Sequence, residues 1–478
     1  MSSERRLPLA IAVAAAVSLS AQEPDRSTTP SPGPPPALRL PPIQKQTLPN
    51  GLRVWIVEHH EVPIVQANLV VRAGSGADPA GAFGAAAFAA AMLDEGAAAR
   101  SALELAEAIE SLGAELATAS SFDASAVRLS VPVRQLGPAV SIMSDVVQRP
   151  TFPQQELERL RKERLTALIE ALDDPESIAA LGFPRIVFGS AHRYGTAASG
   201  TERTLTSMTR DHLTGFYGAH YRPEQATVII VGDVTPASVQ PALQAAFGEW
   251  KPAGSPAAAP TVAAAPQLAK RRVVIVDKPG AAQSQIRIGW VGAARSTADY
   301  AILEVLNTVL GGSFTSRLNS NLREKHGYAY GAFSTFEMRR APGPFYAAAG
   351  VQTDKTADAL REFFKELEGI LKPVPNDELE RAKNYVAFGF PAEFETTGDL
   401  ARKLEELFVY ELPEDTFATF VDRVRRVTAD DVRKAAARHI QPDKMAVVIV
   451  GDRKVIEAPV RALNLGPVTV VTPEEVTK

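Results

Sequence analysis

"HYRPEQATVIIVGD" spans His220–Asp233 and "HIQPDKMAVVIVGD" spans His439–Asp452. His220, Pro223, Gly232 and Asp233 recur as His439, Pro442, Gly451 and Asp452, each 219 positions later. Upstream, "PQQELER" (Pro153–Arg159) returns as "PNDELER" (Pro375–Arg381), 222 positions later. Two separate blocks at nearly one offset mark a duplication. Its period is far above the 20–50 residues of solenoid repeats, so it predicts two large similar domains.

Working outward, each half carries the same order of elements. "LRVWIVEH" (Leu52–His59) and "VQANLVVRAG" (Val65–Gly74) open the first half; "RRVVIVDK" (Arg271–Lys278) and "SQIRIGWVGA" (Ser284–Ala293) open the second. Such β-branched runs, bounded by Gly, Pro or charge, read as strands, and Asn50-Gly51 marks a turn before the first. Helices are predicted at 102–112, 155–172 and 210–217, then at 301–310, 356–371, 377–386 and 429–438. Each half closes on an apolar strand, "ATVIIVGD" or "MAVVIVGD". Strands, helices and a returning strand predict the α+β class, each domain a sheet covered by helices. Two such domains on a flexible linker would enclose a cleft.

Composition narrows the function. The 478 residues exceed a single core, and 45% hydrophobic with 22% charged residues is ordinary for a globular chain. A net charge of −4 without a long basic run leaves no footprint for nucleic acid. The absence of cysteine excludes disulfides, thiolate nucleophiles and Cys-based metal sites.

Arg5 and Arg6 precede an apolar run, Leu7–Leu19, followed by Ser20 and Ala21. This charged, apolar, small-residue order predicts a signal peptide over 1–21. The run is short for a span, which takes about 20 residues, although an uncleaved anchor is the alternative. The mature chain is expected to be exported, to a bacterial periplasm, with no membrane span. A Pro-rich linker (22–42) precedes the first domain (43–251). An Ala/Pro-rich linker (252–270), a second domain (271–460) and a C-terminal tail (461–478) follow.

The chain resembles the pitrilysin-type, or inverzincin, zinc peptidases, which include the mitochondrial processing peptidase and its bacterial relatives. The resemblance runs from about Ile43 to Asp452. It rests on "TLPNGLRVWIVEHHEVPIVQANLVVRAGS", the two "VGD" endings and "SFTSRLNSNLREKHGYAYGAFS". It implies a clamshell of two homologous domains around a peptide-binding chamber. In that family the helix after the second strand carries His-x-x-Glu-His. Residues four apart share a helix face, so both imidazoles reach one zinc, and the Glu acts as base on its water. A Glu on a helix some 75 residues downstream completes the ligands.

Here the matching stretch is "GAAAFAAAMLDEG", Gly84–Gly96. Gly84, Ala86, Met92, Leu93 and Gly96 keep the frame, but the ligand positions fall on Ala87 and Ala91 and the base on Ala90. The downstream ligand falls near Ala167–Leu168, with Glu163 and Glu170 a helix shift away. Methyl groups cannot hold zinc, so no metal site is expected in this chain. His59 and His60 point to opposite faces of a strand, and His192, His212, His220, His326 and His439 show no i, i+4 pairing; structural or surface roles are their default.

The second half keeps a different feature of the family, an Arg and a Tyr seven residues apart. "LREKHGYAY" places them at Arg323 and Tyr330, with Tyr328 a neighbouring decoy. By resemblance the Arg holds substrate carbonyls and the Tyr hydroxyl donates to the developing oxyanion. Read alone, Arg323 is also a candidate for an ion pair with Glu324, and Tyr330 for a strand or core residue. Gly311, Gly312, Ser313 and Phe314 lie just before and are expected to bind substrate, the Gly pair allowing close backbone approach.

The leading expectation is a non-catalytic subunit of an exported heteromeric zinc metallopeptidase, inactive alone. Its partner would be a homologous zinc-bearing subunit, in a heterodimer or larger assembly. Zinc would reside in that partner, and Arg323 and Tyr330 would serve its site in trans on a peptide substrate. The alternative is an inactive scaffold or peptide-binding protein of the same fold. A hydrolase of another type lacks a Cys nucleophile and a Gly-x-Ser-x-Gly elbow.

Overall fold

A computed structural model describes residues 33, 38–252, 255–256, 261–265 and 267–477. The expected signal segment 1–21 and most of the 22–42 linker lie outside the described residues. The first half contains strands β1 (Gln44–Thr47), β2 (Arg53–Glu58), β3 (Ile64–Val71), a small hairpin β4 (Gly96–Ala97) and β5 (Arg100–Ser101), then β6 (Glu115–Ser120), β7 (Ser125–Pro132) and β8 (Ala226–Gly232). Its helices are α1 (Ala85–Ala91), α2 (Ala102–Ser111), α3 (Leu136–Gln148), α4 (Gln154–Ala171), α5 (Pro175–Phe188), α6 (Glu202–Ser207), α7 (Arg210–His220) and α8 (Pro236–Phe247).

The second half repeats this with strands β9 (Arg272–Asp277), β10 (Gln283–Val291), β11 (Ala329–Phe336), β12 (Pro344–Gln352), β13 (Ala446–Gly451) and β14 (Val468–Val471). Its helices are α9 (Tyr300–Leu310), α10 (Arg317–Asn319), α11 (Thr356–Gly369), α12 (Asn376–Gly389), α13 (Thr397–Val409), α14 (Phe420–Arg426), α15 (Ala429–His439) and α16 (Arg453–Ala462); α17 (Pro473–Thr477) ends the chain.

Two six-stranded sheets result, β1-β2-β8-β3-β7-β6 and β14-β9-β13-β10-β12-β11; five strands are equivalent in equivalent places, while the outer β1 runs antiparallel to β2 and β14 parallel to β9. The "VGD" strands β8 and β13 are central in each sheet and buried along their whole length. That explains their unbroken apolar runs, since a strand covered on both faces has no polar face to alternate with. β6 and β11 each form one edge of their sheets, β1 and β14 the other, and β6 and β11 are largely solvent-accessible.

The halves exchange helices. α5 of the first half packs on β10 and β13 of the second sheet, while α13 of the second half packs on β3 and β8 of the first. The two helices are repeat equivalents: Pro175 and Thr397 stand 222 positions apart. Ile178, Phe183 and Val187 of α5 share a core with Val274, Val448 and Tyr346. Each sheet is thus covered by its own helices on one face and by the other half's helix on the other face. Glu405 of α13 anchors one exchange, accepting from both Nε and Nη2 of Arg128 at 2.9 and 2.7 Å and from Nδ2 of Asn68 at 2.6 Å. Its counterpart 222 positions earlier is the fully buried Phe183.

Two boundaries need correction. Residues expected to form a free linker over 252–270 are partly docked: Val262, Ala265 and Leu268 pack against the second sheet's core, and Nε2 of His192 bonds the Ala263 carbonyl oxygen at 2.8 Å. Residues 461–478, expected to be a tail, supply the sixth strand: β14 pairs parallel with β9, and α17 packs on α5. The halves are therefore interlocked domains rather than two bodies tethered across a cleft.

Candidate active site

α1 forms because alanine pays no side-chain entropy in a helix. It starts at Gly84, whose φ of 99° suits glycine and where a Cβ would sit 2.6 Å from the Ser199 carbonyl oxygen. The helix entry is held by Asp78, whose carboxylate accepts from the backbone N–H of Gly84 at 2.6 Å and of Ala86 at 2.8 Å. Asp78 is itself paired with Arg193 at 2.7 Å, both buried. Ala87 and Ala91 lie half-buried one turn apart on one face, and Ala90 is buried. The scaffold for a metal-binding helix is intact; the side chains on it are methyls.

The residues present do not fit a zinc ion. Leu168 of α4, one of the Ala167–Leu168 pair expected near the third-ligand position, lines a 270 Å³ cavity with Leu165, Ile169 and Leu181 and also with Glu202 and Glu474. Glu163 is spent on Arg159 at 2.8 Å. Among the described residues, no three His, Asp or Glu side chains converge as a metal site would require. Instead Arg164, one turn before Leu168, reaches α1: its Nη2 donates to the Ala87 carbonyl oxygen at 3.0 Å, and its guanidinium lies 4.8 Å from the Phe88 ring centre. Burial pushes its pKa below the ordinary guanidinium value. Sequence reasoning missed both Arg164 and Asp78. An arginine three or four residues ahead of the expected ligand pair, and an acid six ahead of a helix-opening glycine, were the available signals.

In the second half, the structure brings Arg323 and Tyr330 together. Arg323 sits in a π-helical turn, Ser320–Lys325, a geometry frequent at functional sites. Its guanidinium lies 5.1 Å from the Tyr330 ring centre and 4.7 Å from that of Phe314, and it also pairs with Glu324 at 3.1 Å. Tyr330, on edge strand β11, is 88% exposed. Tyr328 instead stacks on His326, with ring centres 4.9 Å apart. A 970 Å³ groove runs beside β11, lined by Gly311–Phe314, Tyr330, Phe333, Arg287 and Tyr346 among others.

The glycine pair, which lines this groove, also allows close packing within the chain. A Cβ on Gly311 would lie 2.2 Å from the Ser334 backbone nitrogen, and one on Gly312 would lie 2.7 Å from Asn307 Nδ2. Their close approach is made to the chain's own β11 and α9, which seats Ser313 and Phe314 at the groove wall.

These elements define a two-domain, peptidase-type scaffold whose metal helix is blank. The chain belongs to the peptidase M16 family. Residues 53–181 match the model described as Insulinase (Peptidase family M16), and residues 207–386 match the Peptidase M16 inactive domain. An uncharacterized zinc protease of Streptomyces coelicolor is 26% identical over 419 residues, 86% of this chain and 90% of that protein. One of Mycobacterium bovis is 26% identical over 417 residues, 87% and 94% of the two chains. The crystal structure of a peptidase M16 inactive domain from Pseudomonas fluorescens superposes with a TM-score of 0.79 at 26% identity, covering 86% of this chain and 98% of that one. A protease from Helicobacter pylori has the same fold, with a TM-score of 0.81 at 21% identity, covering 86% and 100%.

Proposed function

We propose that this chain is the non-catalytic subunit of an exported heteromeric zinc metallopeptidase. It lends Arg323, Tyr330 and the groove beside β11 to the zinc site of a homologous partner. The observation that carries this reading is Tyr330. A tyrosine 88% exposed on an edge strand contributes little to the fold, yet an arginine stands beside it. A guanidinium supplies a fixed fork of donors for peptide carbonyls, and a phenol supplies one rigid donor for an oxyanion. β11 leaves one edge unpaired in its sheet, open to an extended peptide strand. Zinc, the base and the attacking water all belong to the partner, because Ala87, Ala90 and Ala91 supply none of them.

The test is reconstitution with an M16 homologue that carries His-x-x-Glu-His and is encoded beside this chain. Neither protein alone should match the peptidase activity of the mixture. Tyr330→Phe and Arg323→Ala should each lower activity by about 10²–10³-fold, the cost of an oxyanion donor, without weakening assembly. Full activity of the partner alone, or indifference to both substitutions, would refute the reading. Assembly without any gain in hydrolysis would favour the scaffold alternative.

A further inference from the structure

We infer that Arg164 has taken over the structural work of the lost metal, cross-linking α4 to α1 with a permanent cation and excluding a divalent ion from that place. A metal held between these helices would tie α1, at Ala87 and Ala91, to α4, at the Ala167–Leu168 pair. Arg164 makes the same tie from the same face of α4, since residues four apart are neighbours on a helix. Its contact, the Ala87 carbonyl oxygen at 3.0 Å, lies on the turn that joins the two vacated ligand positions. Phe88 supplies a π face 4.8 Å away, so the cation is received by a carbonyl and a ring rather than by carboxylates.

Among the described residues no acid forms an ion pair with Arg164, although its neighbours Arg159 and Arg161 are both bonded to glutamates. Arg161 also turns inward, to the carbonyl oxygens of Leu205 and Met208, but keeps its pairing with Glu158, whereas Arg164 feels only the through-space attraction of Glu163. The choice of residue is also specific. Only a guanidinium offers a planar fork that can donate to a carbonyl while stacking on a ring; a lysine ammonium is a compact, strongly hydrated point charge. Replacing the ligands alone would bring a second cation against the first, and like charges at such range repel.

The experiment restores the ligand set, Ala87→His, Ala90→Glu, Ala91→His and Leu168→Glu, in the full chain with and without Arg164→Ala. Zinc retained after dialysis is measured by elemental analysis, with circular dichroism to verify folding. The expected result is little zinc when Arg164 is present and about one equivalent when it is absent. Equal zinc in both backgrounds overturns the inference. Single substitutions in the otherwise native chain keep it falsifiable should the restored chains misfold. Arg164→Ala should lower the thermal midpoint by about 2–4 °C, and Arg164→Lys should recover less than half of that loss. An unchanged midpoint for Arg164→Ala, or full recovery by Lys, overturns it as well.

Discussion

Replacing Glu405 tests whether the exchanged helices bind the halves into one cooperative unit. Glu405→Ala removes the carboxylate that receives both N–H groups of Arg128 and the amide of the fully buried Asn68. Breaking a fully buried ion pair by deleting one partner costs about 3–5 kcal/mol. The Arg128 side chain is 32% exposed, so water reaches it and the cost falls below that range, to about 2–3 kcal/mol. Stranding the Asn68 amide adds about 1 kcal/mol. The total is about 3–4 kcal/mol for Glu405→Ala, and about half of that for Glu405→Gln, which keeps one acceptor. Urea unfolding followed by tryptophan fluorescence measures it. Trp55 meets Phe408 of α13 edge-on with ring centres 6.0 Å apart, so its emission reports the docking of that helix directly. A loss below about 1 kcal/mol, or equal losses for Ala and Gln, would refute a charge-based anchor.

Three further outcomes are expected. Burial pushes the Asp94 carboxyl from 3.8 up to about 6, so the folded chain holds that proton more tightly than the unfolded one. Stability therefore falls as pH rises from about 4 to 6, and Asp94→Asn should flatten that slope in unfolding measurements and stabilise the chain by about 1–2 kcal/mol at pH 7. Gly311→Ala should disorder the groove wall, because its Cβ would meet the Ser334 nitrogen at 2.2 Å; hydrogen exchange faster in 311–316 and β11 than elsewhere is the readout, and uniform exchange would count against it. Truncation after Asn464 removes β14 and α17, strips the edge of β9 and uncovers Gly182 beneath Val476; a lower thermal midpoint and self-association by light scattering are expected.

Much of this architecture is written locally. The repeated "VGD" strands announce two sheets because central strands must be apolar throughout; Arg323 and Tyr330 are picked out only by the resemblance of "SFTSRL" and "LREK", their spacing alone being equally that of an ordinary ion pair and a strand residue, and they do lie side by side. The edge strands are not: "ELATAS" and "AYGAFSTF" are half-exposed, so their polarity hides their membership in a sheet. The helix exchange is also illegible. "PESIAALGFPRIVF" reads as apolar and "TGDLARKLEELFV" as amphipathic, but neither pattern says whose sheet will be covered. That information lies in tertiary contacts between segments far apart in the chain. Arg164 was hidden for a related reason, sitting in a run of alternating charges where the other arginines, Arg159 and Arg161, are paired with glutamates.

The exchange of α5 and α13 also fixes the order in which the chain can mature during synthesis. α5 leaves the ribosome before any strand of the sheet it covers, and β13 is among the last strands made. Until then Ile178, Phe183 and Val187 face no partner, and the first sheet lacks its lid α13. A nascent first half therefore carries two unfinished apolar surfaces until the rest of the chain is made. The same geometry weighs against gene fission: a chain reduced to the Arg323–Tyr330 half would need a substitute for α5 before it could fold.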